Sequence, residues 1–518
     1  MDVASGKKSW ADRPELVLFF FILLSLAIWT LQCSLLQSVL GIDIFETIVW
    51  GEQLQWGHSK HPPLSGWIGY FCTWATGHSD WGLYLAAQLC IGLGVFFTFK
   101  TARMFFDRFR AATAALLLYF LLYYTPSEMK FCTYLVEIAI APAAAFLLLK
   151  SLRENRWHHW CAFGAVCGLG ILNKYSFGLI AVAFVLVMLT RREYRRRFAS
   201  AGPYLAVLVA IAVTSPHLKW LYEHDFVCFR HVGDRLDEEH NILMPLYVLA
   251  AALYPVLMEG LVVVLTLAPL PPRRGAEWLR SWRALDGWTR GDRNFEALHF
   301  SGVVSFLPGA VYLALSLAGT DIILMWLCSV ASLSGIFVMA LCPVEVDRRF
   351  FQRFSLLLAG FIGVVFAGVT ADLLLRTADG VHMRPAPVVA AAEKCWRKSS
   401  DEPIPLVIGG LRFAALVDHY SSAHPPVCDP EDEVMIALYR DRIRERGALL
   451  VDAKIRDFDE FLKRVEVPVR FQKHRVSFSA RFGKKKNRGF VVGVLPPGTV
   501  VRSLSPQTDG DLKKRELK

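Results

Sequence analysis

Charge is scarce in this chain. Only 20% of its 518 residues are Asp, Glu, Lys or Arg, against 54% hydrophobic and 13% aromatic residues. A soluble domain carries roughly 25% charged residues. Mean hydropathy is +0.37. The apolar excess lies in blocks of about 15–26 residues, close to the ~20 that a helix needs to cross a bilayer core. A soluble enzyme, a disordered protein and a small disulfide-stapled module are thereby excluded. Paired-cysteine motifs are missing as well: eleven cysteines are scattered, none at the CxxC spacing of a zinc or redox site. Cys395 and Cys428 lie in the polar tail, where they would either pair in an oxidising compartment or stay as two thiols. Glycine-rich phosphate loops are absent, since Gly409-Gly410 fits neither GxGxxG nor GxxxxGK. No internal repeat is visible, and no nucleic-acid partner is expected.

What is present is a series of eleven apolar segments, at 16–33, 80–99, 111–126, 133–149, 158–172, 175–190, 203–221, 244–269, 300–318, 321–341 and 354–373. The first follows Lys7, Lys8 and Arg13 but lacks a small-x-small cleavage site, so it reads as an uncleaved helix. Alternate connecting loops are rich in Lys and Arg. Lys100 to Arg110, Lys150 to Arg156, Arg191 to Arg197, Arg273 to Arg293 and Arg348 to Arg353 fall on one side. This asymmetry predicts a cytoplasmic N-terminus. An odd number of spans then puts the tail outside. The expected organisation is a transmembrane domain at 1–375 and a periplasmic α/β domain at 376–518 with a frayed basic C-terminus. The tail carries 27 Lys and Arg against 19 Asp and Glu. Residues 405–410 and 448–452 read as short buried strands and 413–420 as a helix. Asp457-Phe458-Asp459 imitates the DxD of nucleotide-sugar enzymes, but Lys463 and Arg464 beside it favour a solvated helix face.

The first outer loop, at 35–80, is the most informative. If residues 43–55 are helical, Asp43, Glu46 and Trp50 fall at i, i+3 and i+7, on one face. That makes a carboxylate pair beside an aromatic on a helix at the membrane surface. The same spacing also fits Asp43 as a helix cap. Pro62-Pro63 ends the segment. Positive charge on this side is limited to Lys60, Lys130, Lys174, Lys219, Arg230 and Arg235, with His231 nearby. Each could bind an anion or snorkel to headgroups. His217 beside Pro216 could act in a site or cap its span. His58, His61 and His78 lack a convincing metal-ligand spacing. Glu259, alone inside an apolar span, reads as a protonated carboxyl bonded to a neighbouring helix, or as a cavity group.

Asp43-x-x-Glu46-x-x-x-Trp50, followed by Lys60-His61-Pro62-Pro63-Leu64, resembles the first periplasmic loop of bacterial glycosyltransferase family 39-type membrane proteins. These have the GT-C fold and are related to protein mannosyltransferases, rhizobial lipopolysaccharide galacturonosyltransferases and the lipid A aminoarabinose transferase. Glu128-Met129-Lys130-Phe131, Asn173-Lys174-Tyr175, Ser215 to Trp220 and Asp225-Phe226 are similar in the same order. The likeness covers roughly residues 15–240, and the tail in outline. There are departures: Ile44 follows Asp43 where relatives often have Asp-Glu, and Cys132-Thr133-Tyr134 replaces Asn residues. The resemblance implies a mainly α polytopic GT-C-like protein of about 11 transmembrane helices in the bacterial inner membrane. It implies transfer of a sugar from a polyprenyl-phosphate donor to an envelope lipid or glycan, such as lipid A or lipopolysaccharide core. Asp43 carries over as the base and Glu46 as its support. Lys60, His61, Lys130, Lys174, His217, Lys219 and Arg230 become donor-phosphate or substrate candidates. No metal is expected to be required, although some relatives hold a divalent cation near the acidic loop. The competing readings are a lipid-linked sugar flippase and an envelope-assembly subunit.

Overall fold

The computed structural model describes residues 10–125, 131–229, 241–267, 293–342, 345–465 and 467–502. The chain forms two compact units. The first comprises Met1–Cys33, Lys60–Ser65 and Leu83–Thr370; the second comprises Ser34–Ser59, Gly66–Gly82 and Ala371–Lys518. The helices are α1 (Pro14–Leu36), α2 (Ile42–Glu52), α3 (Leu64–Ala75), α4 (Asp80–Ala102), α5 (Arg108–Leu116), α6 (Thr133–Glu154), α7 (Trp157–Asn173), α8 (Phe177–Thr190), α9 (Gly202–Glu223), α10 (Met244–Leu267), α11 (Arg293–Leu317), α12 (Ser334–Leu341), α13 (Arg348–Leu375), α14 (Ala386–Trp396), α15 (Leu411–Tyr420) and α16 (Glu433–Arg446).

Among the described residues, all eleven apolar segments are largely helical. Among the described residues, eight helical stretches are long and apolar enough to cross a membrane. The other three are shorter. Segment 111–126 becomes α5 followed by two 3-10 turns, Leu117–Phe120 and Leu122–Tyr124. Its start is fixed by Asp107, whose carboxylate accepts from the Phe109 and Arg110 amides. α7 and α8 have 17 and 14 residues. Large apolar side chains remain bare along these helices, among them Phe20 and Leu23 on α1, Val207 and Leu208 on α9, and Leu356, Val364 and Leu375 on α13. Water would penalise such surfaces; a bilayer covers them.

Within the first unit, α7 packs between α6 and α9. The predicted inner loops meet at one end of these helices. Arg153, at the end of α6, pairs with Glu296 on the first turn of α11 at 3.2 Å, and the Tyr194 hydroxyl donates to the same carboxylate. Arg197 donates from Nε to the Leu152 carbonyl at 2.7 Å. At the opposite ends, Asn173 donates to the Thr133 carbonyl at 2.9 Å. Glu259 on α10 accepts from the Ser334 hydroxyl at 2.9 Å. A bond to a neighbouring helix is what a carboxyl inside an apolar span requires.

The second unit holds a five-stranded mixed sheet. Its strands are β1 (Val407–Ile408), β2 (Val427–Cys428), β3 (Ala448–Asp452), β4 (Gln472–Phe478) and β5 (Lys486–Leu495), in the order β2-β1-β3-β5-β4. β1 runs parallel to β2 and β3, and β5 is antiparallel to β3 and β4. β3 is buried along its whole length, as a central strand covered on both faces must be. Cys395 and Cys428 are both buried and free. Asp457 accepts from the Lys454 amide and closes a short 3-10 turn, Ile455–Phe458. Asp459 of the same triplet is exposed, as on a solvated face. Residues 503–518, expected to be frayed, lie outside the described residues.

Candidate functional site

The acidic helix is built into the second unit by its apolar residues. α2 ends at Glu52, three residues before the expected limit. Ile44, Phe45, Thr47, Ile48, Val49 and Trp50 are buried, which leaves Asp43 and Glu46 as the half-exposed acidic face. Gly41 occupies the cap position, so Asp43 sits one residue inside the helix and does not cap it. A carboxylate in the first turn still gains from the helix dipole. Trp50 is not an open platform beside the acids. It is 4% exposed and stacks on His58, with ring centroids 5.5 Å apart and planes at 12°.

Several contacts pin α2 in place. It packs against α15. The Phe45 ring lies edge-on to His419 and Tyr420 at 6.2 and 6.3 Å. Tyr420 donates its hydroxyl to Asp80 at 2.9 Å and accepts from the Leu40 amide at 3.1 Å. His419 reaches the other Asp80 oxygen at 2.9 Å. At the far end of α2, Glu52 faces Asp418 inside the protein. Burial raises both carboxyls, Glu52 well above the ordinary range and Asp418 to about 7. Asp418 beside it raises Glu52 further, while the nearby His419 favours the charged form of Asp418. His78 stacks on His424 at 3.5 Å, and burial plus two neighbouring imidazoles push it down to about 4. Among the described residues no group of three metal-ligating side chains converges.

The cationic candidates of the first unit separate into two sets. Lys174 is buried at the junction of α7 and α8. Its Nζ lies 4.3 Å from the Tyr134 ring centroid and 5.3 Å from that of Trp326. Glu137, one turn into α6, accepts from the hydroxyl of Ser176, two residues on from Lys174, at 3.4 Å. His217 is fully buried, with Nε2 2.8 Å from the Tyr175 hydroxyl and its ring stacked on Tyr175 and Trp220. Lys219 is different. Its side chain is 77% exposed and pairs with Glu223 one turn on, so the structure leaves it outside the Lys174–His217 cluster. Lys60 and His61 are half-exposed, just before the buried Pro62 and Pro63. Glu128, Lys130, Arg230, His231 and Arg235 lie outside the described residues.

Sequence reasoning missed Glu137, although a single carboxylate in an apolar span is the signal that singled out Glu259. It also missed Asp80, Asp418, His419 and Tyr420. Their partners are more than 300 positions away in the chain, and no local pattern marks them. Chemically, the half-exposed carboxylates can accept hydroxyl protons, and the buried ammonium can hold an anion.

The sequence profile of the dolichyl-phosphate-mannose–protein mannosyltransferase family matches residues 60–220. The chain is similar to two lipopolysaccharide core galacturonosyltransferases of Rhizobium johnstonii, RgtA and RgtB. It is 25% identical to them over 189 and 194 residues, which are 36% and 37% of this chain and 38% and 39% of theirs. The match thus spans under two-fifths of the length of either relative. Among solved structures, the chain is similar to ArnT from Cupriavidus metallidurans bound to undecaprenyl phosphate. The TM-score is 0.60 at 14% identity, covering 92% of this chain and 97% of that one. ArnT in the apo state gives 0.59 at 13% identity, with the same coverage. The expected fold, a GT-C-like polytopic membrane protein with a small C-terminal α/β region, is borne out. So is the resemblance to membrane glycosyltransferases read from the loop motifs.

Proposed function

We propose that the protein is an inverting glycosyltransferase of the bacterial inner membrane. It moves a sugar from a polyprenyl-phosphate donor to an envelope acceptor, such as lipid A or lipopolysaccharide core, on the periplasmic face. The observation that carries this reading is the half-exposed pair Asp43 and Glu46, on a helix whose Ile44, Phe45 and Thr47 to Gly51 are buried. The galacturonosyltransferase relatives and the undecaprenyl phosphate bound to ArnT support the donor and acceptor classes.

In this reading Asp43 takes the proton of an acceptor hydroxyl as its oxygen attacks the anomeric carbon. The bond from that carbon to the phosphate oxygen breaks, and the electron pair leaves with the polyprenyl phosphate. A single displacement inverts the anomeric configuration. Glu46 orients the acceptor or the base. Lys60, His61, Lys130, Lys174, His217 and Arg230 supply the positive surroundings of the leaving phosphate, a large term in reactions of this kind. Lys219, being exposed and paired, is the weakest of the carried-over candidates. The phosphate is a stable leaving group, so the reaction so written needs no general acid and no cofactor.

Mass spectrometry of envelope lipids and glycans from cells with and without the gene identifies the product. Asp43→Asn is then expected to lower it by roughly a hundredfold or more, the scale of a lost general base, with protein levels unchanged. An unaltered glycan profile in cells carrying only Asp43→Asn overturns the enzyme reading and leaves transport or assembly in its place.

A further inference from the structure

From Val467 to Arg502 the chain contains nine Lys and Arg residues and no Asp or Glu. The structure folds most of this stretch into the β4–β5 hairpin, whose connecting loop is 479–485. Arg481, Lys484 and Lys485 in the loop are exposed, and so are Lys473 and Arg475 on β4. Among the described residues Arg481, Lys484 and Lys485 form no ion pair; Arg481 only lies over the Phe482 ring at 5.6 Å. Phe482 itself is 68% exposed at the tip of this basic loop.

The loop does not hang free. The Phe482 amide donates to the Leu374 carbonyl at 2.9 Å, and the Ala480 amide donates to the Thr377 hydroxyl at 3.0 Å. Lys486 donates from Nζ to the Thr377 carbonyl at 2.9 Å, and Arg488 pairs with Asp379 at 3.3 Å. A Cβ on Gly483 would lie 2.4 Å from the Thr377 hydroxyl oxygen, so the backbone approaches as closely as only glycine permits. Leu374 belongs to the last turn of α13, a membrane-crossing helix, and Thr377 follows two residues after its end. The last turn of α13 is part of the same compact unit as the hairpin. A helix that ends its span there ends at the headgroup level, so a loop bonded to that turn lies at the same level. An exposed aromatic flanked by unpaired cations is what such a boundary selects: the ring enters the acyl margin and the charges meet phosphates.

We infer that the β4–β5 hairpin loop, through Arg481, Phe482, Lys484 and Lys485, is a docking surface for anionic lipid headgroups of the leaflet at which α13 ends. The occupant is the bilayer lipid itself, so the surface is independent of the sugar-transfer reaction. It gathers charged lipid next to the hairpin.

The test uses the full-length protein in nanodiscs of phosphatidylcholine with or without phosphatidylglycerol. A benzophenone amino acid placed at position 482 is expected to yield lipid adducts on illumination, more of them with phosphatidylglycerol present. Separately, the triple variant Arg481→Gln, Lys484→Gln, Lys485→Gln is compared with Arg442→Gln, Arg444→Gln, Arg446→Gln on α16, which removes the same charge elsewhere. Each interfacial cation contributes about fivefold in lipid affinity. The hairpin variant should therefore lose phosphatidylglycerol retention, read by native mass spectrometry, by on the order of a hundredfold, while the α16 variant keeps it. Equal losses in the two variants, or adducts at position 482 to protein alone, overturn the inference. The crosslinking result stands even if the triple variant fails to fold, because it leaves every charge in place.

Discussion

Glu52 and Asp418 carry the sharpest prediction at the scale of single residues. Each lies in the last turn of its helix, where the dipole disfavours a negative charge. Burial adds to this, and so both carboxyls are raised in the folded protein. The groups facing them are His419, beside Asp418, and the Tyr439 hydroxyl, itself raised by burial and by Glu52. A raised carboxyl means that the folded state binds the proton more tightly than the unfolded chain does. Stability from this pair is therefore complete below the ordinary carboxylate range, and it is lost as pH rises from about 4 through about 7. The slope is about 1.4 kcal/mol per pH unit for each proton held. Glu52→Gln keeps a donor for Asp418 but cannot ionise. Its thermal midpoint, followed by tryptophan fluorescence of the purified full-length protein from pH 5 to pH 8, should fall less steeply than that of the parent and exceed it by a few degrees at pH 8. Parallel curves for the two proteins would show that the pair is already solvated and titrates as it does in the unfolded chain.

At the scale of elements, the acidic helix was legible and its placement was not. The spacing of Asp43 and Glu46 and the Pro62-Pro63 breaker predict a short helix in the first outer loop, and α2 is there. The strands at 407–408 and 448–452 and helix α15 also fall where the apolar runs put them. The β4–β5 hairpin escaped, because Gln472 and His474 occupy inward positions of β4 and leave only Val476 and Phe478 to show the alternation that marks a strand. The covering of Trp50 by His58 escaped too, since periodicity says which residues share a face but not what lies on it. What sets α2 in position is a backbone crossing that only the structure reveals. A Cβ on Gly51 would lie 2.1 Å from the Gly66 carbonyl oxygen and 2.5 Å from the Tyr70 Cβ. One on Gly66 would meet the Gly51 nitrogen at 3.1 Å and the Trp50 Cβ at 3.3 Å. Gly51→Ala must therefore push α2 away from α3, whereas Gly66→Ala needs only a small adjustment. We expect Gly51→Ala to destabilise the protein by about 1–3 kcal/mol, the usual cost of overpacking, and to reduce product formation by displacing Asp43. Gly66→Ala should be milder in both thermal midpoint and product yield. The opposite ranking would mean that the crossing is looser than its geometry indicates.

For the whole molecule, the side on which the tail emerges depends on the parity of the crossings, and two short helices decide it. α8 is only 14 residues, about 21 Å long at 1.5 Å per residue, against a hydrocarbon core of about 30 Å. Length alone would let α7 and α8 count as a single broken span. Their contacts say otherwise. The start of α7 and the end of α8 adjoin the Arg153, Tyr194 and Glu296 cluster, whereas their junction at Lys174 and Tyr175 meets Thr133, Glu137 and His217 at the other end. The chain thus runs the length of the unit twice between Arg156 and Arg191. Segment 108–124 makes a further pass in the same sense as α7, from Arg110, which bonds the Met339 carbonyl, to Tyr123, whose hydroxyl donates to the carbonyl of Leu324, two residues before the Trp326 ring beside Lys174. If all eleven segments cross, the N-terminus and the tail lie on opposite sides, and the Lys and Arg bias predicts a cytoplasmic N-terminus. Alkaline phosphatase fused after Arg376 should therefore be active, and the same reporter fused after Arg192 should be inactive. The reverse pattern, activity at Arg192 with none at Arg376, would follow either from inversion of the molecule, which places Asp43 in the cytoplasm, or from α7 and α8 forming one crossing, which leaves Asp43 outside. A third fusion in the first outer loop, after Gly57, separates the two, being inactive only if the molecule is inverted. Activity at both Arg192 and Arg376 would mean that one of the five segments between them does not cross. Of these results only inversion removes a periplasmic acceptor from reach of the acidic helix, and the lipid-docking hairpin survives it, since it depends only on where α13 leaves the bilayer.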